Sequence, residues 1–467
     1  MRQLNLDRLT GPLGLVLAGM VAALAVGAIA THEGAKVGVA LIIAPPLAWF
    51  VFSRPRNALI VGLAVVVALP YWYKFGFLVL NLGAGLAILA ILLATQRGAR
   101  FRWTYVDAAV IAILLAILAD WWLRRGSVAA LRQTFDTVSP LAFYFAARLV
   151  RGPTARVITW TLVIAATLGT LTMFAEFAKG SPLFYAPSSY DWNGGTQGAI
   201  FRPAGVFGSP PAAVLVLAMV ALAGIAIFPE VTGRPRSLLA GCLALILIAG
   251  FITFTRAGWI GFGAGLLTSM AMMWLWGGAP FPRWLVYVPV AAAVAVLLLP
   301  TFSSTSWFQA GVQRGGTLAY RQTIWSQALP LVADTTQHLL FGHGFDSLVA
   351  GSQSQLGGLQ ADLAEVPLLV QHGPHNMYIE ALLEQGVLGL FVLLAWLGGA
   401  LVTGLRQVGK VAQPDRRLVA GLTGATICFL VSSLADASFR EPNTVTVIAL
   451  LTGLLVSLCT APAVRSA

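Results

Sequence analysis

The chain has 467 residues, of which 58% are hydrophobic and only 10% charged, and it carries a formal net charge of +12. This composition excludes a large soluble core, and apolar runs of about 16 to 22 residues suit bilayer-crossing helices rather than the alternating strands of an outer-membrane barrel. The positive charge does not point to nucleic acid, because Lys and Arg mostly punctuate the ends of apolar runs, as membrane topology requires.

At the amino terminus, Arg2 and Arg8 precede an apolar run from Gly11 to Thr31. The run is longer than the hydrophobic part of a signal peptide and reads as the first span. Further spans are expected at 37–53, 57–73, 75–95, 105–123, 139–150, 157–178, 210–228, 238–254, 257–276, 284–300, 387–405, 418–435 and 443–461. The stretch at 139–150 is short enough to be re-entrant or broken, so the expectation is an all-α polytopic membrane protein with about 12 to 14 transmembrane helices. Threading these spans from a cytoplasmic amino terminus places Arg54, Arg56, Arg97, Arg100, Arg102, Arg148, Arg151, Arg156, Arg234, Arg236, Arg283, Arg406, Lys410, Arg416 and Arg417 inside, together with Arg2, Arg8 and Arg465. The excess of basic residues on that side predicts that both termini are cytoplasmic. Cys242, Cys428 and Cys459 lie far apart within apolar runs and read as small core residues, with no disulfide framework or thiolate metal site.

Within a single integral membrane domain spanning 1–467, the threading leaves two substantial external segments. Segment 179–203 is rich in Ser, Gly and Pro and holds Phe184, Tyr185, Tyr190 and Trp192, which suits either an ordered loop that stacks on sugar rings or an interfacial aromatic belt. Segment 301–386 is too long for a connector and contains helix-like stretches at Tyr320–Val332 and Asn376–Glu384, so it is expected to carry function. No internal repeat is visible, which counts against transporters built from duplicated halves.

Three landmarks carry chemistry on the expected external side. Arg202 stands in Phe201-Arg-Pro-Ala-Gly-Val-Phe-Gly-Ser-Pro-Pro211, just before a span, where a guanidinium and helix-start amides together hold an anion. Arg256 stands in Thr253-Phe-Thr-Arg-Ala-Gly-Trp259, a tight turn between spans. Two arginines at one face suggest a shared anionic ligand; the alternative is snorkelling to phospholipid headgroups. The third landmark is His372-Gly-Pro-His375-Asn-Met-Tyr378-Ile-Glu-Ala-Leu-Leu-Glu-Gln-Gly386-Val-Leu-Gly389. Pro374 places His375 at a helix entrance, where its imidazole can take a proton from a hydroxyl while Asn376 or a nearby carboxylate fixes its tautomer. His372 precedes the Gly373-Pro374 turn and reads as shaping the loop. A merely structural histidine is one rival reading and a metal site on the two histidines another, but no cysteine clearly completes a metal site, nor any other histidine among His32, His338 and His343.

The ordered set of Arg-x-x-Gly-x-Phe at 202–207, Thr-Arg-x-x-Trp at 255–259, Tyr320-Arg321 with Trp325, Gly342-x-Gly344, and His-x-x-His-Asn-x-Tyr followed by Glu-x-Gly-x-x-Gly resembles the O-antigen ligase and polymerase superfamily. The resemblance covers roughly residues 200–400 and the overall hydropathy profile. It implies a GT-C-like membrane glycosyltransferase of the bacterial inner membrane. Such enzymes take a glycan from an undecaprenyl diphosphate donor at the periplasmic or outer face and join it to a lipid or glycan hydroxyl acceptor, surrounded by membrane lipids. Carried over, it implies Arg202 and Arg256 as diphosphate ligands and His375 as the base. Arg321, Asn376, Tyr378 and His372 are further candidates for substrate contact, with no metal and no cofactor. Ser209-Pro-Pro211 departs from the Pro-Asn pair of many relatives and leaves the subfamily open, so ligase and polymerase remain alternatives. A lipid-linked oligosaccharide flippase is the rival from another class. It would need a charged path through the membrane, for which Asp107, Asp120 and Glu176 are the only carboxylates set into spans.

Overall fold

The computed structural model describes residues 47–69, 76–123, 134–184, 201–276, 317–344, 374–436, 439 and 441–460. After a helical stretch at 47–53, the chain forms α1 (Pro55–Ala68), α2 (Gly76–Gln96), α3 (Tyr105–Leu123), α4 (Leu141–Arg148) and α5 (Gly152–Lys179). It continues through α6 (Pro210–Ile227), α7 (Arg234–Ile252), α8 (Arg256–Trp276), α9 (Thr317–Val332) and α10 (Thr336–Phe341), and ends with α11 (Met377–Gln407), α12 (Gln413–Ser432) and α13 (Pro442–Thr460). Several of these begin on a proline at the first or second position, as with Pro55, Pro153, Pro210, Pro235 and Pro442. There the missing N–H has no intrahelical partner to lose.

Among the described residues, eight helices are long and apolar enough to cross a membrane: α3, α5, α7, α8, α13, most of α2, and α6 and α11 with their short extensions. The structure therefore supports a polytopic helical membrane protein, and the described residues do not confirm the expected 12 to 14 spans. The expected spans 11–31 and 284–300 lie outside the described residues. The span at 57–73 ends early, at Ala68. That at 139–150 contracts to the eight-residue α4, whose Phe143 and Tyr144 are fully buried. α12 covers the expected span at 418–435 as far as Ser432 and carries Asp415, Arg416 and Arg417 at its start.

α6 and α13 form the enclosed centre, with 89% of their apolar windows buried. α6 is apolar all round, and such a helix is stable only when surrounded. The outer helices turn Leu115, Ile248, Ile260, Leu267 and Phe391 outward. Exposed apolar surface on this scale suits lipid rather than water. α8 packs along α12 on a seam of small residues. A side chain at Gly265 would overlap the Gly424 carbonyl, and one at Gly261 the Ser432 hydroxyl. Ser269 and Ser432 each donate a hydrogen bond across the seam, to the carbonyls of Ala420 and Ala257. Small faces of this kind replace the hydrophobic effect as the adhesive between helices in lipid.

The two ends of the bundle differ in charge. One collects the termini of α3, α4, α5, α7 and α12 with Arg102, Arg148, Arg151, Arg156, Arg234, Arg236, Arg406, Lys410, Arg416 and Arg417. Arg156 bridges Glu230 and Asp415, at 2.7 Å each. Deeper at this end, Arg148 pairs with Asp107 at 2.7 Å, both side chains almost wholly buried. Tyr144 donates to Asp107 Oδ1, the Thr104 amide and hydroxyl donate to Oδ2, and Arg148 also reaches the Arg102 carbonyl and the Thr460 hydroxyl. Removing one partner leaves the other charge stranded, which costs about 3 to 5 kcal/mol. Asp107→Ala is therefore expected to lower the thermal midpoint in detergent sharply, whereas the paired replacement of Asp107 and Arg148 by Leu and Met recovers most of it. Equal losses in the single and paired variants would refute this account.

Candidate active site

The opposite end gathers the sequence motifs. Its foundation is Glu176, fully buried near the end of α5. One carboxylate oxygen accepts from the Ala204 and Gly205 amides at 3.0 and 2.8 Å, and the other accepts from the Leu183 amide at 3.1 Å. The chain passes so close to α5 that a Cβ at Gly205 (φ 56°) would overlap the Thr172 hydroxyl. Glu176 is thus a clamp on the Arg202 loop, a role that sequence reasoning missed because its partners are backbone amides. The amides following Arg202 are accordingly occupied. So is the start of α6, where the Ser209 hydroxyl accepts from the Ala212 amide and donates to Glu441. The expected cooperation of Arg202 with free helix-start amides is replaced by a guanidinium on a braced loop. Glu176→Gln keeps the volume but offers one acceptor oxygen instead of two, and a buried amide left without a partner costs about 1 to 3 kcal/mol. The variant is expected to fold with a lowered unfolding temperature. A midpoint equal to wild type would overturn that role.

Arg202 reaches the turn between α7 and α8, donating from Nε to the Thr253 carbonyl at 2.7 Å and from Nη2 to the Thr255 hydroxyl. The turn is stiffened by Phe254 in the left-handed region (φ 51°) and by Trp259 stacked on Phe251 at 4.9 Å. Such backbone conformations are disfavoured for bulky residues and persist only where the surroundings enforce them. Arg256 follows at the first position of α8 and is exposed.

Arg321 on α9 is half-buried. Burial pulls its guanidinium below its usual range, Asp436 opposes that shift, and the positive charge of Arg256 adds to it. Arg256, Arg321 and Asp436 therefore share one electrostatic neighbourhood. α9 packs on the start of α11 through a small core of its own, Ile324, Ala328 and Val332 against Leu383. Trp325 of the same helix donates to the Pro374 carbonyl at 2.7 Å.

His375 follows at φ 46°, the second non-glycine residue with positive φ among the described residues. It is partly exposed, between the anchored Pro374 and the capped start of α11. Asn376 is that cap: its Oδ1 accepts from the Tyr378 and Ile379 amides at 2.9 and 3.1 Å, and its Nδ2 donates to the Leu434 carbonyl. The Tyr378 hydroxyl donates to the Leu430 carbonyl at 2.7 Å. Both side chains, singled out as substrate contacts, thus hold α11 to the end of α12 and position His375. His372 lies outside the described residues.

α11 itself is broken. Gly386 has φ 66° and ψ −168°, so the helix that starts at Met377 ends there and a second one resumes. The carbonyls of Leu383 and Glu384 at the break accept from the His343 and Gly344 amides at 2.7 and 2.8 Å. This explains the paired glycine motifs, since a Cβ at Gly342 would overlap Glu384 and one at Gly386 would overlap Leu340. Glu380 and Glu384, four residues apart and therefore on one helix face, are buried beside a small cavity with Met377, Ile113 and Phe439. Their spacing is visible in the sequence, but within an apolar context it gives no sign of a cavity.

The described structure thus brings Arg202, Arg256, Arg321 and His375 to the same end of the bundle. Residues 241–394 match the family model described as O-antigen ligase. That match, over about a third of the chain, supports the O-antigen ligase and polymerase superfamily. Among curated proteins none matches the chain. The O-antigen ligase segment contains Arg256, Arg321, His375, Asn376 and Tyr378 and includes the break at Gly386, whereas Glu176 and Arg202 precede it. The anchoring of Arg202 on Thr253 and Thr255 therefore joins a residue outside the O-antigen ligase match to one of its turns.

Proposed function

We propose that this protein is an O-antigen ligase-like glycosyltransferase that moves a glycan from undecaprenyl diphosphate to an acceptor hydroxyl of lipid A-core or a similar molecule. The reaction runs at the outer face of the bacterial inner membrane, with both termini cytoplasmic. The observation that carries the reading is the meeting of three arginines with a strained, helix-capping histidine segment at the end of the bundle opposite its basic rim. An excess of Lys and Arg marks the cytoplasmic side, so the arginine and histidine end faces outward. The glycosyl diphosphate is already activated. The site must stabilise the charge that grows on the departing diphosphate and remove a proton from the incoming hydroxyl. Arg202 and Arg256 perform the first task, with Arg321 beside them, so the chemical step needs no metal. His375 performs the second, and a single displacement inverts the anomeric carbon.

The test is purified full-length protein in nanodiscs, given undecaprenyl-diphosphate glycan with and without a lipid A-core acceptor. Glycan on the acceptor supports the ligase. Lengthening of the lipid-linked glycan without acceptor identifies the alternative, a polymerase. Transfer to neither refutes the reading.

A further inference from the structure

A second cluster lies away from the arginines, where α9 gives way to α10. Asp334, His338 and His343 each offer one donor atom, and these atoms lie within 4.8 Å of one another. The two imidazole rings are 3.9 Å apart between centroids. His338 Nδ1 is 2.7 Å from Asp334 Oδ1, which also accepts from the Thr335 amide at 2.6 Å, so both contacts use one oxygen and Oδ2 is the atom a cation would take.

His343 carries the argument. It is only 7% exposed, its Nε2 lies 2.8 Å from the Leu331 carbonyl, and its Nδ1 is buried with no hydrogen-bond partner. A carbonyl accepts only from N–H, so the proton resides on Nε2 and Nδ1 presents a lone pair. An orphaned buried acceptor is costly in an apoprotein. The same arrangement, with the distal nitrogen fixed by a carbonyl, is how proteins orient a ligating imidazole.

We propose that Asp334, His338 and His343 bind one zinc-class divalent cation. Two imidazoles and a carboxylate are a donor set that zinc accepts, with water completing a four-coordinate shell. The cation joins the end of α9, the helix α10 and the loop after it. That loop supplies the His343 and Gly344 amides that close the break in α11. The site is separate from the arginines, so its occupancy sets the stability of the α9–α10 unit and not the chemical step.

The test is zinc titration of the purified full-length protein in nanodiscs, with thermal unfolding followed at each stoichiometry. One zinc per chain and a rise in unfolding temperature are expected. His343→Ala, His338→Ala and Asp334→Asn are each expected to weaken binding by more than the about 10- to 100-fold that loss of an orienting partner causes. His375→Ala and Arg256→Ala are expected to bind zinc as wild type does. Asp334 is exposed, so its conservative variant keeps the test interpretable if His343→Ala fails to fold. Absence of saturable binding in the wild type, unchanged affinity in Asp334→Asn and His338→Ala, or loss of binding in His375→Ala would each overturn the proposal.

Discussion

His375→Ala is expected to lower turnover by about a hundred- to ten-thousandfold, the usual contribution of a general base, while donor binding stays close to wild type. The separation follows from the architecture. The segment that presents His375 is fixed by the Pro374 carbonyl on Trp325 and by the Asn376 cap, neither of which uses the imidazole. The arginines meanwhile stand on other elements, the 201–209 loop, the first turn of α8, and α9. His375→Asn supplies a second measurement, because Asn is also tolerated at positive φ and restores the backbone without the base. If both variants turn over normally, or if both lose donor binding and nothing else, His375 is not the base. Asn376→Ala probes the positioning role. Losing a helix cap costs about 1 kcal/mol, so a moderate loss of stability with partial activity is expected rather than collapse.

Arg256→Ala is expected to reduce the catalytic rate by about a hundred- to a thousandfold, the range for removing one donor that stabilises transition-state charge. Among the arginines it gives the cleanest reading because its side chain is exposed at a helix start. Arg202 is different. Its guanidinium braces the Thr253–Thr255 turn, so Arg202→Ala combines loss of charge with loosening of the neighbouring arginine. Arg202→Lys separates the two effects: the charge remains, but a single ammonium cannot reproduce the fork. A rate in Arg256→Ala within a few-fold of wild type would remove the diphosphate from this end of the bundle. A loss cured by raising donor concentration would make Arg256 a binding residue only.

Much of this was legible in the sequence, and the parts that were not share a cause. Spans such as Tyr105–Leu123 and Pro210–Ile227 matched their apolar runs closely, because length and hydropathy alone set them. The ordered arginine and histidine motifs were visible for the same local reason. Arg148 was legible only as a topological marker, since nothing in the sequence joins it to Asp107, 41 residues earlier. Glu176 looked like an isolated charge in a span, and only the return of the chain at Ala204 and Gly205 shows what it holds. The glycines at 342, 344 and 386 read as separate motifs, whereas in three dimensions they are one junction.

That junction bears on how the protein meets its bilayer. In an unbroken helix, each residue added within the membrane would swing everything beyond it by about 100° and carry it 1.5 Å along the axis. At Gly386 the helical register is interrupted, and the segment from Asn376 to Gln385 takes its bearings from α9, α10 and the end of α12. The membrane portion can therefore tilt or differ in length to suit a thicker or thinner hydrocarbon layer without rotating His375. The site keeps its aim while the anchor follows the lipid.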